Sequence, residues 1–160
     1  MSDGCLEIGA ATTHADLLSW FSQTEWQHRY GALVEMLHRF GSPQIRARGT
    51  LGGNIANGSP VADWPPILLA LDAELELLGR QGERWLPIRE FFKGYRQTAL
   101  AEQELISRIR FPLLGENEQL SVHKISKRHE DDISSVLGAF RIRLEAVSYT
   151  HLTLPTKLSV

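Results

Sequence analysis

The feature that most constrains this chain is the stretch 40–66, FGSPQIRARGTLGGNIANGSPVADWPP, because glycines, prolines and small polar residues interrupt an otherwise apolar, periodic sequence. Glycine permits positive φ and close approach, so consecutive backbone N–H groups can turn toward one anionic or carbonyl-rich ligand. A long surface turn is the alternative, but structureless segments of this length are uncommon in compact domains and are usually functional or disordered. We therefore expect an ordered ligand-binding loop. Four of its five glycines lie close together, at Gly49, Gly52, Gly53 and Gly58.

Hydrophobic periodicity predicts the elements before and within this stretch. Residues 5–12 alternate as a short strand, and Thr13 with Asp16 forms a capping box for a helix through residue 22. Apolar residues at helical spacing predict a second helix over 27–40. Residues 44–48 alternate and predict a short extended segment.

The rest of the chain predicts one helix, a hairpin and several strands. Asp63 or a neighbour caps a helix whose first turn contains proline, so the glycine-rich stretch ends at a helix N-terminus that favours a polar or anionic ligand. In the strand at 104–111, simple alternation places Leu105, Ser107, Ile109 and Phe111 on one face. It places Ile106, Arg108 and Arg110 on the other face. The further predictions are a hairpin over 74–87, a short helical stretch from 87 to 93, strands at 120–124 and 136–144, and a solvated charged connection at 127–132.

Composition bounds the class of protein. The chain has 160 residues, 42% of them hydrophobic and 22% charged, which is typical of one globular domain. A net charge of −2 argues against a nucleic-acid partner. No apolar run is long enough to cross a membrane and no signal peptide is visible, so we expect a cytoplasmic protein. The single cysteine, Cys5, excludes a disulfide or a Cys-rich metal site within this sequence.

The residues show no catalytic constellation. The six histidines have no metal-ligand spacing, and no serine lies in a nucleophile elbow. The motif GTLGGN lacks the GxGxxG spacing of dinucleotide-binding folds, and no Lys-Ser or Lys-Thr pair follows it as in a P-loop. Pattern alone therefore leads to an α/β or α+β domain with a ligand-binding loop.

Several separated motifs together carry more information. They are Thr50-Leu51-Gly52-Gly53-Asn54-Ile55, Ser59-Pro60 with Asp63, Phe91-Phe92-Lys93-Gly94-Tyr95-Arg96, and Arg128-His129-Glu130-Asp131-Asp132-Ile133. In this order and spacing, over residues 5–146, the sequence resembles the flavoprotein portion of the molybdenum hydroxylases, especially the FAD-containing small subunit of bacterial xanthine dehydrogenases.

The resemblance implies a fold and a domain organisation. It implies an α+β fold with an antiparallel sheet flanked by helices, which is the C-terminal subdomain of the family's FAD-binding domain. We expect residues 1–115 to form this second subdomain, truncated at its N-terminus, so that Met1 is an internal start. Residues 116–146 would be the first strands of the following α+β domain. The tail 147–160 fits nothing in the family and resembles a translated sequencing adaptor, so we expect it to be non-native.

The resemblance also implies a function. In the family, electrons pass from a molybdenum centre through 2Fe-2S clusters to FAD and then to NAD. This chain would bind FAD and not molybdopterin or the clusters. Its partners would be the missing N-terminal FAD subdomain, the iron–sulfur domain and the molybdenum-binding subunit. Xanthine is the substrate that overall likeness suggests. Two alternatives remain open: a non-catalytic subunit-docking module, and the FAD subunit of a related carbon monoxide, aldehyde or N-heterocycle dehydrogenase.

The resemblance assigns candidate cofactor contacts residue by residue. The glycine-rich motif would approach FAD through its backbone amides, and Asn54 could both donate and accept. Asp63 would accept from a cofactor hydroxyl or amide, and residues 128–133 would lie close to the isoalloxazine. Phe40 would be an aromatic contact, although on pattern alone it reads as core. Ile106 would be an apolar contact and Lys124 a cationic one. The full set is Phe40, Thr50, Leu51, Gly52, Gly53, Asn54, Asp63, Ile106 and Lys124.

Overall fold

The computed structural model describes residues 4–144, which fold as helices and antiparallel sheets. One four-stranded sheet has the spatial order β1-β6-β2-β3, and two further sheets each contain two strands, β4-β5 and β7-β8. The strands are β1 (Cys5–Gly9), β2 (Glu74–Gly79), β3 (Gly82–Pro87), β4 (Phe92–Gly94), β5 (Gln97–Thr98), β6 (Leu105–Pro112), β7 (Glu118–Ile125) and β8 (Val136–Arg143). The helices are α1 (His14–Phe21), α2 (Thr24–His38), α3 (Pro43–Arg48), α4 (Leu51–Ala56) and α5 (Trp64–Ala70), with a 3₁₀ turn at Ile88–Glu90.

The predicted strand and hairpin at the centre of the fold are confirmed. β2 and β3 pair antiparallel in the predicted hairpin, and β6 lies between β1 and β2. One face of the sheet is apolar and covered, with Ile8, Leu75 and Ile109 at neighbouring positions and all buried. The other face carries ion pairs such as Arg108 with Glu76. The core therefore lies between the apolar face and the helices.

The prediction for the faces of β6 is wrong at its N-terminal end. Register shifts between Glu76 and Leu77, so that Glu76 lies opposite Arg108 while Leu77 lies opposite Ile106. Such a β-bulge inserts one extra residue and reverses the alternation beyond it. Ile106 is consequently buried with the core, whereas Leu105 is 55% exposed.

The first two helices follow their sequence signals. The backbone N–H of Asp16 donates to the Thr13 hydroxyl over 3.1 Å, which confirms the predicted cap of α1. α2 begins at Thr24, three residues before the predicted start near 27. Tyr30 is buried in α2, and its hydroxyl accepts a hydrogen bond from the backbone N–H of Leu114 over 3.1 Å. This bond ties α2 to the segment that leaves the four-stranded sheet.

The extended segment predicted over 44–48 is helical instead. It forms α3, whose N-cap Ser42 accepts from the backbone N–H of Ile45 over 3.3 Å and whose first residue is Pro43. Serine followed by proline is a helix-start signal, and five alternating residues are too few to outweigh it. With α4 following at once, the glycine-rich stretch contains two short helices and is not a structureless loop.

The predicted helical stretch over 87–93 is shorter than expected. Only the 3₁₀ turn Ile88–Glu90 is helical, and Phe92 already belongs to β4. Phe91 is buried, and its carbonyl accepts from the backbone N–H of Ala99 over 2.7 Å. The small β4-β5 hairpin therefore folds back onto the end of the 3₁₀ turn.

The last two strands form a hairpin that packs against α2 and α5. Both strands occur where the sequence predicts them, and the charged run between them is the connection. Glu118 binds Arg141 and Arg143, each at 2.8 Å, and Arg141 also reaches Asp72 at the end of α5 over 3.4 Å. The domain boundary placed after residue 115 remains a prediction, and the tail 147–160 lies outside the described residues. Among residues 4–144, the helices are too short or too polar to cross a membrane.

Candidate functional site

A buried ion pair joins the start of α5 to β7. Lys124 Nζ lies 2.6 Å from Asp63 Oδ2, and the other carboxylate oxygen accepts from the Ser134 hydroxyl over 2.5 Å. Asp63 occupies the N-cap position of α5, as predicted, but its side chain makes no capping bond. The carboxylate instead holds Lys124, so two of the predicted site residues are in direct contact.

Phe40 lies beside this pair. The Lys124 ammonium is 6.0 Å from the centroid of the Phe40 ring, at the outer limit of a cation–π contact. The neighbouring Arg39 donates to the backbone carbonyl of Lys124 and, over 3.3 Å, to the Ser126 hydroxyl. Phe40 itself is half-buried and packs against the core. Phe40, Asp63 and Lys124 thus form one cluster.

A buried histidine lies behind Phe40. His14 is the first residue of α1, and its ring stacks on Phe40 with centroids 4.2 Å apart and planes inclined by 29°. The centroid of the Trp64 ring lies 6.3 Å from that of the His14 ring, and the two planes are inclined by 25°. Burial lowers the pKa of His14 to about 4, so the imidazole is neutral at pH 7. Among the described residues neither ring nitrogen makes a hydrogen bond of normal geometry, although the Gly49 backbone and the Asp63 carboxylate offset part of the effect of burial on the pKa of His14.

The glycine-rich motif forms the N-terminus of α4. The Thr50 hydroxyl caps it by accepting from the backbone N–H of Gly53 over 3.1 Å. The N–H groups of Leu51, Gly52 and Asn54 donate to the carbonyls of Thr12, Ala10 and Thr50 respectively. All four amides of residues 51–54 are therefore used within the chain, although the resemblance implied that they approach the cofactor.

Gly52 is required for packing. A Cβ atom on it would lie 2.6 Å from the Cβ of Ala10 and 2.9 Å from the Ala10 carbonyl oxygen. The motif therefore needs glycine here so that α4 can lie against the residue that follows β1. The adjacent Gly53 is exposed.

Asn54 carries the unsatisfied group of this motif. Its Oδ1 atom is buried and has no hydrogen-bond partner among the described residues. Buried acceptors are almost always paired, so an unpaired one indicates a missing partner. Asn54 is consistent with a residue that accepts a hydrogen bond from a ligand.

The predicted site residues fall into two groups and one outlier. Thr50, the cap of α4, pairs across an isolated bridge with Thr13, beside the His14 stack, so the glycine motif adjoins the Phe40–Asp63–Lys124 cluster. Ile106 is 8% exposed and lies with the core, on the strand against which α4 packs.

Sequence reasoning missed three side chains at this cluster, His14, Arg39 and Ser134. An isolated histidine at a helix start and a serine in a loop carry no sequence signal for such roles. Among residues 4–144 there is no group of side chains that could hold a metal ion. Two grooves, of about 280 and 410 Å³, lie elsewhere, and the candidate site is identified by the chemistry of the cluster.

Comparison with known proteins identifies the fold of this site. Residues 1–114 match the family described as the FAD binding domain in molybdopterin dehydrogenase, which is more than half of the chain. The chain belongs to the molybdenum hydroxylase family. The predicted family and FAD as its cofactor are thereby confirmed, and in this family the molybdopterin and iron–sulfur centres lie in other parts of the enzyme.

Individual relatives agree with this assignment. A nicotinate hydroxylase of Emericella nidulans is 40% identical over 115 residues, covering 71% of this chain and 8% of that protein. A xanthine dehydrogenase of the same organism is 37% identical over 153 residues, covering 90% and 11%. This chain thus spans about a tenth of the length of these relatives.

A solved structure confirms the predicted α+β architecture. The carbon monoxide dehydrogenase from Hydrogenophaga pseudoflava that lacks the Mo-pyranopterin moiety superimposes with a TM-score of 0.86 at 30% identity. The match covers 96% of this chain and 52% of that one. The antiparallel sheets flanked by helices are therefore the FAD-binding architecture of this family.

Proposed function

We propose that this chain supplies one side of the FAD site in a molybdenum hydroxylase, with the other side supplied by a further subdomain. The residues proposed to contact FAD are Phe40, Thr50, Leu51, Gly52, Gly53, Asn54, Asp63, Ile106 and Lys124. The observation that carries the proposal is the buried, unpaired Oδ1 of Asn54 in the glycine motif, which adjoins, through the bridge between Thr50 and Thr13, a cluster that contains an aromatic ring and an ammonium group. This donor and acceptor set suits a large, polar, aromatic cofactor.

The residues have different roles in this proposal. FAD, when bound, supplies the two-electron chemistry, and the chain binds and orients it. Phe40 offers an aromatic surface, and Asn54 accepts a hydrogen bond. Lys124 offers positive charge close to the Phe40 ring, and Asp63 fixes the position of that charge because it holds the ammonium at 2.6 Å.

We further propose that electrons reach the FAD from iron–sulfur clusters and leave it to NAD, as in a xanthine-dehydrogenase-like enzyme of the cytoplasm. The molybdenum-binding and iron–sulfur parts would be partners of this chain. The named relatives act on nicotinate, xanthine and carbon monoxide, yet share this region at 30–40% identity. Substrate choice therefore resides outside this region, and xanthine rests on overall likeness.

Fluorescence titration of FAD tests the proposal. The 160-residue chain is titrated alone and together with the part of the Hydrogenophaga chain that lies outside the match. We expect FAD binding by the mixture to be much tighter than by either piece, because each holds one side of the site. Phe40→Leu should weaken this binding, whereas Phe140→Leu, at another half-buried phenylalanine on β8, should not.

The same titration can contradict the proposal. If the two pieces are folded and associate, as analytical ultracentrifugation would show, yet FAD fluorescence does not change, the chain is not one side of a flavin site. The subunit-docking alternative would then be favoured.

A further inference from the structure

His14 stands out because it is a buried polar side chain whose ring nitrogens make no hydrogen bond of normal geometry among the described residues. The residue is 2% exposed, and its ring lies 4.2 Å from the Phe40 ring and 6.3 Å from the Trp64 ring, centroid to centroid. Neither nitrogen makes a hydrogen bond of normal geometry among the described residues, and the nearby Gly49 backbone offsets only part of the unfavourable effect of burial. An aliphatic side chain would fill the same space without that cost.

The contact that His14 makes is through the flat face of its imidazole, which stacks on the Phe40 ring. Its centroid is 4.2 Å from that of Phe40, and the planes are inclined by only 29°, so the two rings are stacked. Gly49 gives it room, since a Cβ there would lie 3.0 Å from Nδ1. Because the ring is neutral, it stacks on Phe40 without adding a charge near the Asp63 carboxylate that holds Lys124.

Phe40 needs such support because it follows the end of α2. Its backbone N–H still bonds to Leu37, but the next residue, Gly41, has a positive φ of 53°, and the chain turns there into α3. The carbonyls of Phe40 and Gly41 both accept from Arg46, at 3.0 and 2.8 Å. These bonds fix the backbone of the turn and leave the direction of the phenyl ring to its packing partners.

We propose that His14 is a positioning residue for the flavin site, which holds the Phe40 ring in the orientation that contacts FAD. This inference rests on the proposed function, because His14 acts only through Phe40. It differs from that proposal in predicting that a buried residue of α1 controls FAD affinity through the Phe40 ring. The first turn of α1 is thereby part of the site.

The test is a double-mutant cycle on FAD affinity. His14→Leu, Phe40→Leu and the double variant are prepared in the 160-residue chain and titrated with FAD in the presence of the completing part of the Hydrogenophaga chain. We expect His14→Leu to raise the FAD dissociation constant about three- to tenfold. In the Phe40→Leu background the same change should have almost no further effect.

Two further variants separate positioning from general stability. His14→Phe keeps a flat ring and should restore most of the affinity and the visible circular dichroism of the bound flavin. Ile88→Ala removes a buried side chain, 2% exposed, on the 3₁₀ turn. It should lower thermal stability but leave the FAD dissociation constant unchanged.

The outcomes are distinguishable. Unchanged FAD affinity in His14→Leu, with Phe40→Leu clearly weakened, overturns the role of His14 and leaves the proposed function standing. Additive effects of the two changes also overturn it, since His14 would then not act through Phe40. No FAD binding by the unsubstituted chain and its completing part overturns the proposed function, and this inference with it.

Discussion

Lys124 and Asp63 are 61 positions apart in the sequence, yet Lys124 Nζ lies 2.6 Å from Asp63 Oδ2 and both side chains are less than 10% exposed. The pair joins the N-terminus of α5 to β7, and so links the matched region of residues 1–114 to the hairpin that follows it. Since both residues are candidate FAD contacts, the same bond holds the fold together and shapes the proposed site.

Breaking this pair should destabilise the chain strongly. Lys124→Met leaves the Asp63 carboxylate buried without its cation, which costs about 3–5 kcal/mol in comparable buried pairs. Urea unfolding followed by circular dichroism measures this change. Glu90→Gln is the control, because the Arg89–Glu90 pair spans 4.0 Å between side chains that are 71% and 54% exposed, and it should have little effect.

If Lys124→Met unfolds at the same urea concentration as the unsubstituted chain, the pair does not hold the hairpin. The double variant Asp63→Leu with Lys124→Met should recover part of the loss, because it removes both charges from the interior.

Gly52→Ala should destabilise the chain by about 1–3 kcal/mol, the usual penalty of overpacking. The new Cβ would lie 2.6 Å from the Ala10 Cβ and 2.9 Å from the Ala10 carbonyl oxygen, so α4 must move away from the end of β1. Gly31→Ala, in α2, is the matched control, because no atom lies within 4 Å of its added Cβ. It should be neutral or stabilising by up to about 1 kcal/mol, as alanine favours helix. Equal melting temperatures for the two variants would contradict this role of Gly52.

The sequence predicted most elements because their signals are local. The cap at Thr13 and the hairpin of β2 and β3 depend on neighbouring residues, and both are present. The prediction of an extended segment at 44–48 is wrong. The signal for the helix found there is also local, in the Ser42-Pro43 start of α3. Serine followed by proline is a stronger signal than an alternation over five residues.

The candidate site was only partly predictable for a different reason. Family motifs indicated Asp63 and Lys124 separately, but their contact depends on how α5 and β7 pack. The β-bulge that places Ile106 in the core arises from the pairing of β2 with β6. The sequence of neither strand alone indicates it. His14 is brought to Phe40 by the packing of α1 against the end of α2, which no spacing within one segment reveals.

The buried imidazole of His14 should make stability depend on pH above the range where carboxylates titrate. Burial lowers its pKa from 6.5 to about 4, so between these values the unfolded chain binds more protons than the folded chain. The contribution of neutral His14 to the free energy of unfolding is therefore fully present above pH 6.5 and is lost as the pH falls through 4. We expect the free energy of unfolding to decrease by about 2 kcal/mol from pH 7 to pH 5.

Urea unfolding at pH 7, 6 and 5 checks this dependence. The paired carboxylates of Glu104 and Glu118, whose pKa values are about 2, remain ionised over this range in the folded chain. His14→Phe should remove most of the slope, whereas His129→Phe should retain it, because the His129 side chain is 76% exposed. A slope that persists in His14→Phe would show that another group causes it.

Asn54→Ala should separate cofactor binding from folding. The Asn54 Oδ1 atom has no partner within residues 4–144, so its removal breaks no hydrogen bond, and alanine is the better helix former in α4. The melting temperature should stay the same or rise. FAD affinity, measured in the completed site, should fall about three- to tenfold through the loss of one accepted hydrogen bond.

Asn57→Ala makes the same chemical change at the exposed C-cap of this helix and should leave FAD affinity unaltered. If Asn54→Ala instead lowers stability and leaves FAD affinity unchanged, Asn54 has a structural role and the acceptor for the cofactor lies elsewhere.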